Sequence, residues 1–410
     1  MMKSRLLAAA VAVVALSLTA CSSPGGADPS AGDQKPFDFV YLGGITGGQA
    51  SLAQLEVAAL KVAVEGINDD GGILGRKVKM EIIDTKSDPT EAVSVLQKRL
   101  AAGDPPDLVR AGLSSTEALA LLPVTTRAGI PTFSGSGSPL ADDTKAYPYN
   151  KLTGGVFSRY AEMMRTWVEF KKFTTVAVLA PEDASGDSTV QAMEKVFDGS
   201  SARLEIYRFN PGDLDLSVPY QRAIADKPDL VYANCLGAPC VRVVAARESV
   251  AGGTDIPMFG DGSMSGSAGG PAAGVPASAI ENLHVLIFDG QLKKAEKDQT
   301  EEFKTFYSGL TKQLDPTGLS SATIAYDGLR MYAAAAEKAK SVDAKKMIDA
   351  INDNDWPAGY FVTYGKAKLS WSPDHAFPQQ PDDAFAVVQV APLEGGQYPP
   401  IDVFQPKVKK

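Results

Sequence analysis

Histidine is almost missing from this chain: 2 of 410 residues, His284 inside an apolar strand pattern and His375 in a proline-rich loop. Two isolated imidazoles give no cluster of metal ligands and leave no base beside a serine nucleophile. The nucleophile pattern Gly-x-Ser-x-Gly does not occur, and Gly72 to Lys77 is not a phosphate loop. Carboxylates are plentiful, yet no spacing singles out a pair for acid–base work. Basic runs are missing too, and the net charge of −9 argues against a nucleic-acid partner. The one long apolar run, residues 6–18, is too short for a comfortable membrane span. Catalysis, metal binding and nucleic-acid recognition all lack their usual residues, and no cofactor is expected.

Cysteine is also scarce, with Cys21, Cys235 and Cys240 the full set. Lys3 and Arg5, the apolar run and Leu18-Thr19-Ala20-Cys21 together resemble a bacterial lipoprotein signal. That resemblance implies cleavage before Cys21 and a lipid on its thiol, hence an exported chain anchored at the outer face of the cell membrane. An ordinary signal peptide or a short membrane anchor is the plainer alternative. Loss of residues 1–20 leaves a net charge of −11, so lipid rather than charge holds the protein at the membrane. Residues 21–35, rich in Gly, Ser, Pro and Ala, read as a flexible tether. Outside the cytoplasm Cys235 and Cys240 are expected to pair, since Gly237 and Pro239 between them allow a tight turn.

What the chain does have is a repeat. Pro106-Asp107-Leu108-Val109 returns as Pro228-Asp229-Leu230-Val231, and Ile130-Pro131-Thr132-Phe133 as Ile256-Pro257-Met258-Phe259. The offsets, 122 and 126 residues, fall in one register. Each copy reads as turn, short apolar strand, small-residue loop, helix, and a second strand with its own small-residue loop. A period this long implies two related lobes rather than a solenoid. At 410 residues two domains are expected in any case. In open α/β sheets a ligand sits beyond the carboxyl ends of the strands, so two facing lobes bring four loops to one cleft.

Taken in order, residues 37–42 read as a strand. A helix follows from Leu52 with Ser51 and Gln54 at capping-box spacing. Residues 77–84 form the next strand, and Asp88-Pro89-Thr90-Glu91 opens a helix. Residues 108–111 are a strand behind which Ser114-Ser115-Thr116-Glu117 caps another helix. The pattern restarts near Thr153-Gly154-Gly155. A helix through Met163, Trp167 and Phe170 leads to strands at 175–180, 204–209 and 230–234, with a helix from Ser188 between the first two. After an irregular segment at 265–279 come a strand at 283–288, helices near 299–310, 320–340 and 343–351, and short strands at 361–364 and 385–390. Regular alternation of strand and helix implies an α/β fold with parallel sheets covered on both faces.

Thr46-Gly47, Ile67-Asn68, Gly71-Gly72-Ile73-Leu74-Gly75-Arg76, Ser87-Asp88-Pro89, Ser114-Ser115 and Phe259-Gly260-Asp261-Gly262, in this order and spacing, resemble the solute-binding proteins of the leucine/isoleucine/valine type. The match runs from about Lys35 to Val390 and thins after residue 290. The resemblance implies two Rossmann-like lobes, three hinge crossings and a ligand clamped between them for delivery to the permease and ATPase of an ABC importer. The lobes would comprise 36–153 with about 285–340, and 154–284 with about 341–410. A monomer is expected. A ligand sensor for a membrane signalling partner uses the same cleft physics, and an extracellular hydrolase is the remoter alternative.

The family's carboxylate-binding hydroxyls and amides carry over to Ser114, Ser115, Ser136 and Ser138, with Thr116 beside them at a helix start that favours an anion. Ser114 is equally a helix cap. The 134–138 loop is one residue shorter than the family pattern, so which serine makes contact stays open. Asp261 falls where amino-acid-binding members pair an acid with the ligand's ammonium; Gly-Asp-Gly is also a good turn. Cleft tyrosines of the branched-chain binders are replaced by Leu52, Ser185 and Leu236. The resemblance therefore implies a small carboxylate-bearing solute, an amino acid or a related organic acid or amide, of a shape other than a branched-chain amino acid.

Overall fold

A computed structural model describes residues 35–265 and 275–408. The expected leader, Cys21 and nearly all of the tether lie outside the described residues, as does most of the 265–279 segment. The first lobe is built on β1 (Phe37–Gly43), α1 (Ala50–Asp69), β2 (Val78–Asp84), α2 (Pro89–Ala101), β3 (Leu108–Ala111), α3 (Ser115–Ala128) and β4 (Thr132–Phe133). Its four strands are all parallel, in the order β2-β1-β3-β4. The second lobe follows with α4 (Phe157–Lys171), β5 (Thr175–Pro181), α5 (Ala184–Phe197), β6 (Arg203–Phe209), α6 (Ser217–Ile224), β7 (Leu230–Ala233), α7 (Ala238–Ser249), β8 (Met258–Gly260), the single turn α8 (Gly262–Ser265) and β9 (Leu283–Phe288). The chain ends with α9 (Glu301–Gln313), α10 (Ser320–Ala339), α11 (Ala344–Asn352), the hairpin β10 (Ser370–Ser372) and β11 (His375–Gln379), and β12 (Phe385–Gln389). The second sheet runs β12-β9-β8-β7-β5-β6, with only β12 antiparallel.

The repeat seen in the sequence is one supersecondary unit used twice. In the first lobe the Val109 N–H donates to Pro131 O at 3.1 Å; in the second, Val231 donates to Pro257 O at 2.9 Å. Proline ends a backbone donor but keeps its carbonyl, so Ile-Pro can open a strand that accepts and does not donate. Helix caps follow their side chains. Asp88 Oδ1 accepts from the Thr90 and Glu91 amides at 2.7 and 3.0 Å, and Ser114 Oγ from the Glu117 amide at 3.2 Å. Gly129, at φ 68°, closes α3 in the left-handed conformation that glycine adopts without strain.

Several expectations need correction. α1 starts at Ala50 after Gln49, with no side-chain cap, so Ser51 and Gln54 do not form the expected box. α5 starts at Ala184 rather than Ser188, because Asp183 caps the Ser185 and Gly186 amides. The helix through Met163, Trp167 and Phe170 is present as α4, with Phe170 61% exposed and stacked on Phe404. Residues 361–364 are not a strand. Asp327 takes the Val362 and Thr363 amides at 3.0 and 2.8 Å, which leaves those donors unavailable to a sheet and holds Val362–Tyr364 as a 3-10 turn.

The lobe boundaries also shift. β9 stays in the second sheet to Phe288, while α9 and α10 pack on α1 and so belong to the first lobe. α11 then lays Met347, Ile348 and Ile351 against α10, and the β10–β11 hairpin buries Ala376 and Phe377 with Leu122, Ala141 and Leu152. The chain therefore returns to the second lobe after β11, not near residue 341. An amphipathic stripe announces a buried face but not which lobe it meets.

Candidate functional site

The loops at the carboxyl ends of β1, β3 and β4 face those of β5, β7 and β8, and between them lies a cavity of about 60 Å³. Space for several waters, or the core of a small solute, is what this volume amounts to. A wider vestibule of about 430 Å³ opens beside it, lined by Gln49, Ser87, Thr116, Asp183, Pro239 and Arg242 among others. The lobes touch across the cleft. The Ala238 N–H donates to Gly48 O at 2.9 Å, and Ser138 Oγ lies 2.6 Å from Ser188 Oγ. Cys235 and Cys240 are disulfide-bonded, with Cα atoms 5.1 Å apart, so the loop carrying the Ala238 contact is stapled at both ends.

Ser114 and Ser115 enter the cavity wall because α3 begins directly behind β3. Ser114 spends its oxygen on the helix cap. Ser115 is differently placed. Its Oγ accepts from Ser136 Oγ at 3.2 Å and from the Gly137 amide at 3.2 Å, while Ser136 Oγ in turn accepts from the Ser138 amide at 3.1 Å. A hydroxyl has two acceptor sites and one proton. Both acceptor sites of Ser115 are used, so its proton is left to donate. Ser136 and Ser138 are buried and do not line the cavity; they hold Ser115 in place and, through Ser188, reach the opposite lobe. Thr116 lines the vestibule, where its hydroxyl has no partner among the described residues.

Asp261 is placed otherwise than a ligand-facing acid. It is 0% exposed, and each oxygen already accepts twice: from Tyr232 Oη at 2.9 Å and Asn234 Nδ2 at 2.7 Å, and from the Ser263 and Met264 amides at 2.9 and 3.2 Å. Burial pushes its carboxyl above the usual range against those hydrogen bonds. Gly262 and Ser263 reach the cavity and Asp261 stands behind them, organising the turn.

The rest of the wall mixes apolar side chains with Glu56 and the serines Ser263, Ser320 and Ser321. Leu52, Leu113, Phe157, Tyr160, Leu236 and Ile324 surround the space, and Ser185 joins them from α5. Below Leu52, one turn along α1, Glu56 is 2% exposed. Its Oε1 accepts from Arg110 Nη2 at 2.6 Å, and Arg110 also donates to the Gly112 carbonyl. Burial raises the Glu56 carboxyl, partly countered by the Arg110 charge. A hydroxyl left to donate at one place, with apolar side chains and a few polar groups around it, is the layout of a clamp for a small organic solute.

Residues 39–397 match the family described as periplasmic binding protein. The chain belongs to the periplasmic binding protein family. Among individual relatives, the leucine-, isoleucine-, valine-, threonine- and alanine-binding protein of Pseudomonas aeruginosa is 23% identical over 324 residues, 77% of this chain and 82% of that protein. Among solved structures, an ABC-transporter solute-binding protein of Rhodopseudomonas palustris in complex with 3,4-dihydroxybenzoic acid aligns with TM-score 0.74 at 18% identity, over 92% of this chain and 99% of that one. A fatty acid ABC transporter substrate-binding protein of Thermomonospora curvata aligns with TM-score 0.72 at 15% identity, over 92% and 95%.

As a member of the periplasmic binding protein family the chain is a binding protein that works outside the cytoplasm. The relatives named are binders and not enzymes. Of the residues picked from sequence, Leu52, Ser114, Ser115, Ser185 and Leu236 line the central cavity of this binding protein. Glu56, Phe157, Tyr160 and Ile324 line it too, with Arg110 paired behind Glu56, and the sequence reading does not single these out. A signal existed for one of them: Arg110 is the lone charge in the otherwise apolar strand Leu108–Ala111, and a charge there requires a buried partner.

Proposed function

We propose that this periplasmic binding protein is the receptor of an ABC importer and that it closes over a small carboxylate-bearing solute with an apolar body. The observation that carries the reading is the committed hydroxyl of Ser115, whose only spare function is to donate into a cavity whose bulkier walls are Leu52, Leu113, Phe157, Leu236 and Ile324. A hydroxyl donating to a carboxylate makes a charge-assisted hydrogen bond, strengthened when the closed cleft excludes water. The ligands named for the three similar proteins, amino acids, a benzoic acid and a fatty acid, share a carboxylate and differ in body. Leu52 and Leu236 favour a body that is apolar, aromatic or aliphatic. Permease and ATPase subunits are the partners in this reading, the receptor is a monomer, and Cys21 carries the lipid that keeps it near them.

A thermal-shift screen of amino acids, aromatic acids, short fatty acids, amides and sugars tests the proposal. A carboxylate at about a hundred times its Kd adds roughly 2.7 kcal/mol of apparent stability. Ser115→Ala weakens that ligand by about tenfold or more, the worth of a hydrogen bond to a charged group. Tight binding of a neutral sugar with no response to any carboxylate defeats the reading.

A further inference from the structure

The 20-residue helix α10 starts in the wall of the central cavity. Ser320, Ser321 and Ile324 all line that space, so the first turn of the helix is turned towards it. No side chain caps this turn, because the capping position holds Leu319, which has nothing to offer an amide. The helical ladder opens with the Thr323 amide on Leu319 O at 2.9 Å, and the amides of Ser320, Ser321 and Ala322 come before it, with no acceptor in the helix. A helix start of this kind carries partial positive charge. The second observation is the side chain of Ser320, a residue only 7% exposed. Ser320 bonds through its carbonyl, which accepts from Thr323 Oγ1 at 3.1 Å, and among the described residues its hydroxyl has no partner. A hydroxyl buried to this degree ordinarily has one. The carboxylate in the same wall, Glu56, is taken by Arg110 and Tyr41, so its charge is met within the protein.

We propose that the start of α10 is a second anion-binding point of the cleft, where the Ser320 hydroxyl and the uncapped first-turn amides donate to a carboxylate at the far end of the solute. The solute class is then a short dicarboxylic acid. One carboxylate meets Ser115 at the start of α3, the other meets Ser320 at the start of α10, and an apolar middle lies against Leu52 and Leu236. A cavity of about 60 Å³ keeps the two groups on one small molecule. This rests on the carboxylate reading above and adds a second recognition point to it. Selection is strong because the penalty falls on the wrong ligand. A monoacid sets a methyl group or a ring C–H against the Ser320 hydroxyl and the amides, and so strips water from donors that then have nothing to donate to.

The experiment is a titration calorimetry panel of matched pairs that differ by one carboxylate: butanoate with succinate, pentanoate with glutarate, hexanoate with adipate, and benzoate with isophthalate. In the wild-type protein at least one diacid binds about tenfold or more tightly than its monoacid, the range for hydrogen bonds to a charged acceptor. Ser320→Ala keeps a good helix former at the position and lowers that margin several-fold, while the ligand-free melting temperature holds. If Ser320→Ala melts early, Ser321→Asp decides instead: an acid in the first turn suits the helix but repels a second carboxylate, so the margin falls there too. Monoacids that bind as tightly as their diacids, or a margin that survives the substitution, overturn the inference and leave the carboxylate reading standing. If no acid of either kind binds, the carboxylate reading fails and this inference falls with it.

Discussion

Asp107 and Asp229, 122 residues apart, do the same job in the two lobes. Asp107 Oδ2 accepts from the Asp38 amide at 2.8 Å and its own amide donates to Asp38 O at 2.9 Å, fixing the start of β1 against β3. Asp229 Oδ2 accepts from the Thr174 and Thr175 amides at 2.7 and 3.0 Å, and its amide donates to Thr175 O at 3.1 Å, fixing β5 against β7. The pairing that follows is equivalent, Phe39 with Leu108 and Val176 with Leu230. An aspartate before a short strand thus sets the register of its longer neighbour, which is why Pro-Asp recurs where other residues of the repeat have diverged.

Replacing either aspartate by alanine is expected to cost about 1–3 kcal/mol of folding stability, since each change strands strand-opening amides that had a charged acceptor. Asp107→Ala should lie at the upper end, because Asp107 also pairs with Arg76. Denaturant melts of the two variants, with ligand titrations showing near-native affinity for both, check the assignment. A large loss of affinity with unchanged stability would contradict it.

Asp327 gives the protein a pH signature. Its carboxyl is fully buried, and burial pushes it up to about 6 from an ordinary 3.8, against the amides of Thr363 and Val362. Between those values the folded chain holds this proton and the unfolded chain does not. The group's contribution is therefore complete below about pH 4 and is lost as pH rises through 6, by about 3 kcal/mol at 1.36 kcal/mol per pKa unit. Asp327→Asn should remove this fall. Stability measured every half unit from pH 4 to 7.5 in both proteins gives the difference, in which the other titrating groups cancel; a wild-type minus variant curve that is flat or rises with pH speaks against the buried carboxyl.

Gly237 marks where the lobes meet. It sits at φ 70°, and a Cβ there would lie 2.4 Å from Gly48 O in the opposite lobe. Gly237→Ala should therefore impede closure more than folding, weakening ligand binding by about tenfold or more, with the strained backbone adding about 1 kcal/mol or so to the folding cost. Small-angle scattering is the check: the wild-type radius falls on adding ligand, and the variant's falls less or not at all. Equal compaction in both would show that this contact does not limit closing.

Much of this architecture could be read from the chain itself. The repeat announced two lobes, and the Ser114-x-x-Glu117 box located both a helix start and one wall of the cleft, because caps and turns are written in neighbouring residues. What stayed hidden depends on partners far away in sequence. Glu56 and Arg110 are 54 residues apart, and nothing local says that they meet. Ser115 outranks Ser136 and Ser138 only once the order of donation among them is known. Asp261 was legible as a turn and as an acid, but not as one whose oxygens are already occupied by Tyr232, Asn234 and two amides. The lobe assignment of α11 needed the surface it packs on.

The central claim is that a ligand carboxylate is held by the Ser115 hydroxyl inside a closing cleft, and titration calorimetry of an acid against its own amide tests it most directly. Whichever acid the screen identifies is compared with the isosteric primary amide, in wild type and in Ser115→Ala. The account predicts that the acid binds at least about tenfold more tightly than the amide in wild type, and that this margin shrinks several-fold in Ser115→Ala while the amide changes little. An amide that binds as well as the acid, or a margin untouched by Ser115→Ala, would contradict it.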